Sequence, residues 1–167
     1  MSISCIDGNT VSIYENTTLI GSGSCIAGTT FITPTQPLTN GVHQLFAKQG
    51  NPLSPASDVL NITIDTVAPA APTTLIYSGI SQTGVNLSWT SSTDTLGIAD
   101  YIIYRNGVQI SVQNQISFTD SGLTTNMTYL YTVKARDTAG NISDNSNTAS
   151  VKTMAASGGG GDGSGGA

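Results

Sequence analysis

The chain has 167 residues and a net charge of −5; only 9% of residues are charged, while Ser, Thr and Asn make up about a third. Its five cations, Lys48, Arg105, Lys134, Arg136 and Lys152, are scattered, so no basic patch exists to neutralise phosphates and nucleic acid is excluded as a partner. No 18-residue apolar run occurs, so no membrane insertion is expected in this segment, and the scarcity of Lys and Glu argues against long surface helices.

From the start of the chain, residues 2–6 and 20–25 alternate as strands do, and each segment carries one of the two cysteines, Cys5 and Cys25. Together with the single His43 they are too few for a structural zinc site. Two states are open to the thiols: a disulfide between neighbouring strands, or a pair of buried free cysteines. A bridge closes a loop of about 20 residues, contributes roughly 3 kcal/mol in the chain-entropy picture and implies an oxidising compartment. The first residues lack the basic region and apolar core of a signal peptide, and Met1 runs straight into strand-like sequence. The expectation is a fragment of a longer exported polypeptide, extracellular or at a cell surface.

Further along, residues 10–16, 38–47 and 62–65 complete a first β unit, and in this stretch the chain resembles bacterial Ig-like repeats of surface adhesins. The resemblance implies that a strand and a half should precede residues 2–5, so this domain reads as truncated at its N-terminus. A core of 65 residues is already marginal, and a missing strand bares a neighbouring edge. The first domain is therefore expected to be the less stable one.

Alternation stops at Asp65-Thr66-Val67-Ala68-Pro69-Ala70-Ala71-Pro72, where two prolines force extended backbone. The expected organisation is a domain at 1–65, a proline-containing linker at 66–72, a second domain at 73–154 and a flexible glycine-rich tail at 155–167. In the second domain, turn signals recur about every ten residues. Leu75 and Tyr77 start an edge strand; Val85, Leu87 and Trp89 alternate on the next; Tyr101 and Ile103 point one way while Ile102 and Tyr104 point the other. Arg105-Asn106-Gly107 is a hairpin turn, followed by strands at 108–111, 116–119, 129–135 and 149–153. These segments resemble the core strands of a fibronectin type III domain. Leu123 and Tyr129 match that family's tyrosine corner, although its usual Pro-Gly is replaced here by Thr125-Asn126. The fold class expected is all-β, two tandem Ig-like and fibronectin type III β-sandwiches. A weak internal echo supports it: Phe46-Ala47-Lys48 followed by Ser54-Pro55-Ala56-Ser57 parallels Val133-Lys134-Ala135 followed by Ser143-Asp144-Asn145-Ser146.

No nucleophile elbow, phosphate loop or dinucleotide fingerprint occurs, and alternation gives His43 a structural place on one strand face. The acids fall mostly in turns, where a proton-holding carboxyl pair for glycoside hydrolysis is not expected. No enzymatic activity is expected. Asn16, Asn61, Asn86, Asn126 and Asn141 head glycosylation sequons in a chain rich enough in Ser and Thr to make chance matches easy. No cofactor is expected except a structural calcium, which the resemblance to adhesin repeats with an Asp-Thr-x-Ala-Pro linker implies at Asp65, Asp94 and Asp137. The competing reading makes 137–141 a tight turn and Asp65 a strand end. Parity places Trp89, Tyr101, Tyr129 and Tyr131 in the core and leaves Ile102, Tyr104 and Leu130 facing outward as a candidate binding face for polysaccharide or a surface receptor. The overall expectation is a monomeric, non-catalytic spacer whose partners are the neighbouring domains of a longer polypeptide, with an adhesion module, accessory to an extracellular glycoside hydrolase, as the alternative.

Overall fold

Two units, Met1–Val67 and Ala68–Ala167, divide the chain, and the computed structural model describes residues 2–50 and 54–156 of it, none of them helical. The expected tail lies, from residue 157 on, outside the described residues.

Unit 1 has six strands among the described residues: β1 Ser2–Ser4, β2 Thr10–Glu15, β3 Thr18–Ser24, β4 Thr29–Phe31, β5 Gly41–Gln49 and β6 Leu60–Ile64. β2 and β3 make a hairpin through Asn16 and Thr17, with Asn16 at φ 54° in the left-handed region that Asn tolerates. The larger sheet runs β3-β2-β5-β6, all antiparallel; β1 and β4 pair only with each other. Val11, Ile13, Ile32 and Leu45 form the buried core, flanked by Ile3, Ile20, Leu38 and Ile62. Gly21 permits this packing, since a Cβ there would lie 2.8 Å from Ile32 Cγ2. Four strands are thus faced by two, and apolar cavities of 240 and 200 Å³ open onto core residues Ile13 and Leu45.

Cys5 and Cys25 are joined by a disulfide with Cα atoms 5.9 Å apart. Their placement corrects the expected one. Cys5 lies past the end of β1 and Cys25 past the end of β3, and these strands belong to different sheets. Tight turns displace both from the ladders: Cys5 N–H donates to Gly28 O and Cys25 N–H to Asn9 O, with Gly8 and Gly28 at positive φ. The bridge therefore fastens the small sheet to the large one.

Unit 2 has seven strands among the described residues: β7 Thr73–Ser78, β8 Gly84–Thr90, β9 Ile98–Arg105, β10 Val108–Gln113, β11 Ser117–Ser121, β12 Thr128–Asp137 and β13 Ala149–Lys152. They build one sheet of order β11-β8-β7 and another of order β10-β9-β12-β13. Period-two alternation puts Val85, Leu87 and Trp89 of β8 against Tyr101 and Ile103 of β9 and Tyr131, Val133 and Ala135 of β12, all buried. Asn106 and Gly107 take φ 51° and 79° in the β9–β10 hairpin, as a two-residue turn demands. Residues 68–72 pack with this unit: Ala70 N–H donates to Thr93 O at 3.1 Å, and Pro72 is fully buried.

Edge strand β7 carries a bulge at Thr74, φ 53°, which takes Leu75 out of register with β8. The side chain of Asn147 replaces the lost partner. Its Oδ1 accepts Leu75 N–H at 2.8 Å and its Nδ2 donates to Leu75 O at 2.9 Å. A related device explains the internal echo. Ser146 and Ser143 accept the N–H groups of Val133 and Ala135 through Oγ and donate their own N–H to the same residues' carbonyls. In unit 1, Ser57 and Ser54 do the same for Ala47 and Gln49. Each Ser-x-x-Ser stretch thus continues the ladder beside the last long strand, where ordinary pairing has given way to a loop.

Candidate functional site

Asp94 and Asp137 bring carboxylate oxygens within 4.8 Å of one another in unit 2. Asp94 Oδ1 accepts Leu96 N–H at 2.8 Å in the loop before β9. Asp137 ends β12 and is 1% exposed; its Oδ1 accepts Asn141 N–H at 2.8 Å and its Oδ2 accepts Asn141 Nδ2 at 2.9 Å. Burial pushes its pKa up, but the side chain and N–H of Asn141, with the N–H groups of Gly140 and Ala139, outweigh it and hold the carboxyl below its ordinary value. In unit 1, Asp65 Oδ1 accepts Val67 N–H at 3.0 Å. Each of these acids is therefore engaged by its own turn, and Asp137 supplies a stable anion.

The aromatic residues are occupied structurally. Trp89 and Tyr101 meet edge-to-face, centroids 5.6 Å apart, and Tyr101 Oη accepts Ser92 N–H at 3.0 Å. Tyr129 Oη accepts Thr124 N–H at 2.9 Å, next to the buried Leu123, so the corner closes with Thr125 and Asn126 in the turn. Tyr131, fully buried, donates to Asp120 Oδ2 at 2.6 Å, and Arg105 Nη1 reaches both oxygens of the same carboxylate at 2.9 and 3.0 Å. Burial first, then the bond to Asp120, hold the Tyr131 proton on well above the usual phenol range. This triad spans the two sheets of unit 2. Alternation alone does not announce it, because the β9–β12 register, which sets Arg105 opposite Tyr131, and the packing of β11 in the facing sheet are both needed to bring the three together.

The outward face must be corrected at Ile102. It is 4% exposed rather than part of a solvent-facing strip. Central on β9, it stands opposite Val112 of β10 and Lys134 of β12. One step along that face, Arg136 grips Asp100 with two bonds, the first at 3.1 Å, so long stems overlie it. Tyr104 is half-buried opposite Thr132, and Leu130 remains 49% exposed opposite Ser150. The strip shrinks to two residues.

His43 is buried in unit 1 beside a cavity of 390 Å³ and contacts the chain's single Glu, Glu15. The cavities of 220, 240 and 200 Å³ also lie in unit 1.

No family model matches the sequence. Over 91 residues it is 47% identical to Chitinase Chi52 of Paenibacillus xylanexedens, an alignment covering 54% of this chain and 17% of that protein. Over 93 residues it is 42% identical to Exoglucanase B of Cellulomonas fimi, covering 56% of this chain and 8% of that protein. The chain thus spans less than a fifth of these curated relatives. Among solved structures, titin domains A168–A170 superpose with a TM-score of 0.67 at 16% identity, covering 86% of this chain and 54% of that one. The FN1–FN3 domains of chicken CNTN1 do so with a TM-score of 0.57 at 18% identity, covering 87% and 53%. These likenesses show the fold, which is all-β and fibronectin type III-like.

Proposed function

We propose that this chain is a non-catalytic pair of spacer modules in an exported polypeptide, presenting an adjacent catalytic or adhesive domain, and that it is monomeric. The single observation that carries the reading is the pattern of relatives. A stretch of about 90 residues recurs as a small fraction of a protein named a chitinase and of one named an exoglucanase. A segment common to both does not decide which polymer each cleaves. Trp89, Tyr101 and Tyr131 pack the interior of unit 2, and the Cys5–Cys25 bridge fits an oxidising compartment. The direct test inserts the chain between a chitinase catalytic domain and its chitin-binding module. Turnover of soluble oligosaccharide should be unchanged, while the rate on insoluble chitin changes with the span added. A change of kcat on the soluble substrate would count against a spacer.

Three finer points belong to the same reading. Unit 1 is taken as a bacterial Ig-like domain of the adhesin type. Calcium is assigned to Asp94 and Asp137, whose oxygens lie within 4.8 Å; equal melting temperatures in millimolar calcium and in chelator would remove it. Polysaccharide or receptor binding through Tyr104 and Leu130 is the alternative activity, and it requires retention on an insoluble glycan that Tyr104→Ala abolishes.

A further inference from the structure

We propose that His43 is a pH-operated clasp, tying the 32–40 connection between β4 and β5 to Glu15 at the end of β2 while protonated, and releasing that connection from the unit 1 core when it loses the proton.

The geometry requires a doubly protonated ring. Nε2 lies 2.7 Å from Thr39 O, and Nδ1 lies 2.6 Å from Glu15 Oε1. A carbonyl oxygen carries no proton, so Nε2 must donate; a carboxylate carries none, so Nδ1 must donate as well. Only the imidazolium does both. Either neutral tautomer turns a lone pair onto an oxygen and gives up one of the two bonds. His43 is 7% exposed, so water does not readily replace that bond.

The surroundings supply no competing charge. Of the residues lining the cavity beside the ring, Glu15 of β2 is the one other ionisable group; Thr18, Leu19 and Ile20 from β3 and Thr35, Gln36 and Thr39 from the connection are neutral. From β6 the ring's cross-strand partner is Ile62. The bond to Thr39, then the bond and the charge of Glu15, outweigh burial and keep the imidazole pKa above its ordinary value of about 6.5. Because that pKa is raised on folding, the stabilisation is fully present below pH ~6.5 and is lost as pH rises through the folded-state value.

What the clasp holds is Leu38. Next to Thr39, Leu38 packs on the core and, with Pro34, walls the apolar cavity of 240 Å³ that reaches Ile13 and Leu45. Freeing Thr39 therefore loosens the lid of an already thinly covered core.

The chain's single histidine makes the test clean. Proton NMR of the His43 ring in the whole chain should give a midpoint above that of the same chain unfolded in urea. Exchange of the Thr35 amide, which ties the same connection to β3 by donating to Ile20 O at 2.7 Å, corrected for intrinsic pH dependence, should rise by about fivefold across that midpoint, the factor one net hydrogen bond gives. Glu15→Gln should lower the midpoint, and His43→Gln should leave exchange in this segment fast and indifferent to pH. A wild-type midpoint at or below the unfolded one, or wild-type exchange that does not change across it, would overturn the proposal without recourse to any variant.

Discussion

Asp120 shows how unit 2 satisfies a buried charge: its carboxylate, 8% exposed, takes two bonds from Arg105 and one from Tyr131. Arg105 keeps about a third of its side chain in solvent, so removing Asp120 strands the Tyr131 hydroxyl far more than the guanidinium. Asp120→Ala should cost ~2 kcal/mol and Tyr131→Phe about 1 kcal/mol, read as shifts of urea midpoint at constant m-value. A second residue-scale prediction concerns Asp137. Its lowered pKa adds stability that is present above the ordinary carboxylate pKa of about 3.9 and disappears as pH falls through the folded-state value. Acid unfolding of unit 2 should therefore become less steep in Asp137→Asn, and an unaltered acid limb would show that the loop bonds contribute nothing. At this scale the sequence is only partly legible. Alternation assigns Tyr131 and Trp89 to the interior, but it does not show that Asp120 receives Tyr131, which lies in the opposite sheet, or that Glu15 receives His43, which depends on the register of β2 against β5. Ile102 fails for a related reason: parity gives the face, while burial depends on what the Arg136–Asp100 pair and Lys134 lay over it.

Among the elements, the strands of unit 2 are legible because patterning and turn chemistry agree. Val85, Leu87 and Trp89 alternate, and Asn106-Gly107 supplies the positive φ that the β9–β10 hairpin needs. The bulge that hands Leu75 to Asn147 is not legible, since the partner lies 72 residues away. The serine pairs are the instructive middle case: the Ser-x-x-Ser repetition is visible, and its meaning emerges only when each hydroxyl is seen accepting a strand N–H. Ser143→Ala combined with Ser146→Ala should cost ~2 kcal/mol or more in unit 2, because two buried N–H groups lose their acceptors. The disulfide acts within unit 1, where it fastens the β1–β4 sheet to the larger one. Reducing it should lower the stability of unit 1 by roughly 3 kcal/mol and leave the transition of unit 2 in place, as followed by Trp89 fluorescence. Simultaneous loss of both transitions would mean that the bridge supports more than unit 1.

At the scale of the whole molecule, the two units differ in how completely their layers cover each other. Unit 2 sets three strands against four around a core that includes Trp89, Tyr101 and Tyr131; unit 1 sets two against four around Val11, Ile13, Ile32 and Leu45. Unit 1 should unfold first in urea, and a lower midpoint for unit 2 would reverse that ranking. The shortfall in the small sheet also explains why the apolar cavities of 240 and 200 Å³ in unit 1 open onto the core residues Ile13 and Leu45. On the proposed spacer reading, the interior-facing side chains hold β layers together and the chain neither cleaves nor grips polysaccharide. That reading is tested most directly by incubating the purified, oxidised chain with crystalline chitin and with cellulose and measuring both protein left in the supernatant and reducing sugar released. The prediction is full recovery of soluble protein and no sugar above the blank; depletion of the chain from solution, or sugar that scales with its concentration, would contradict it.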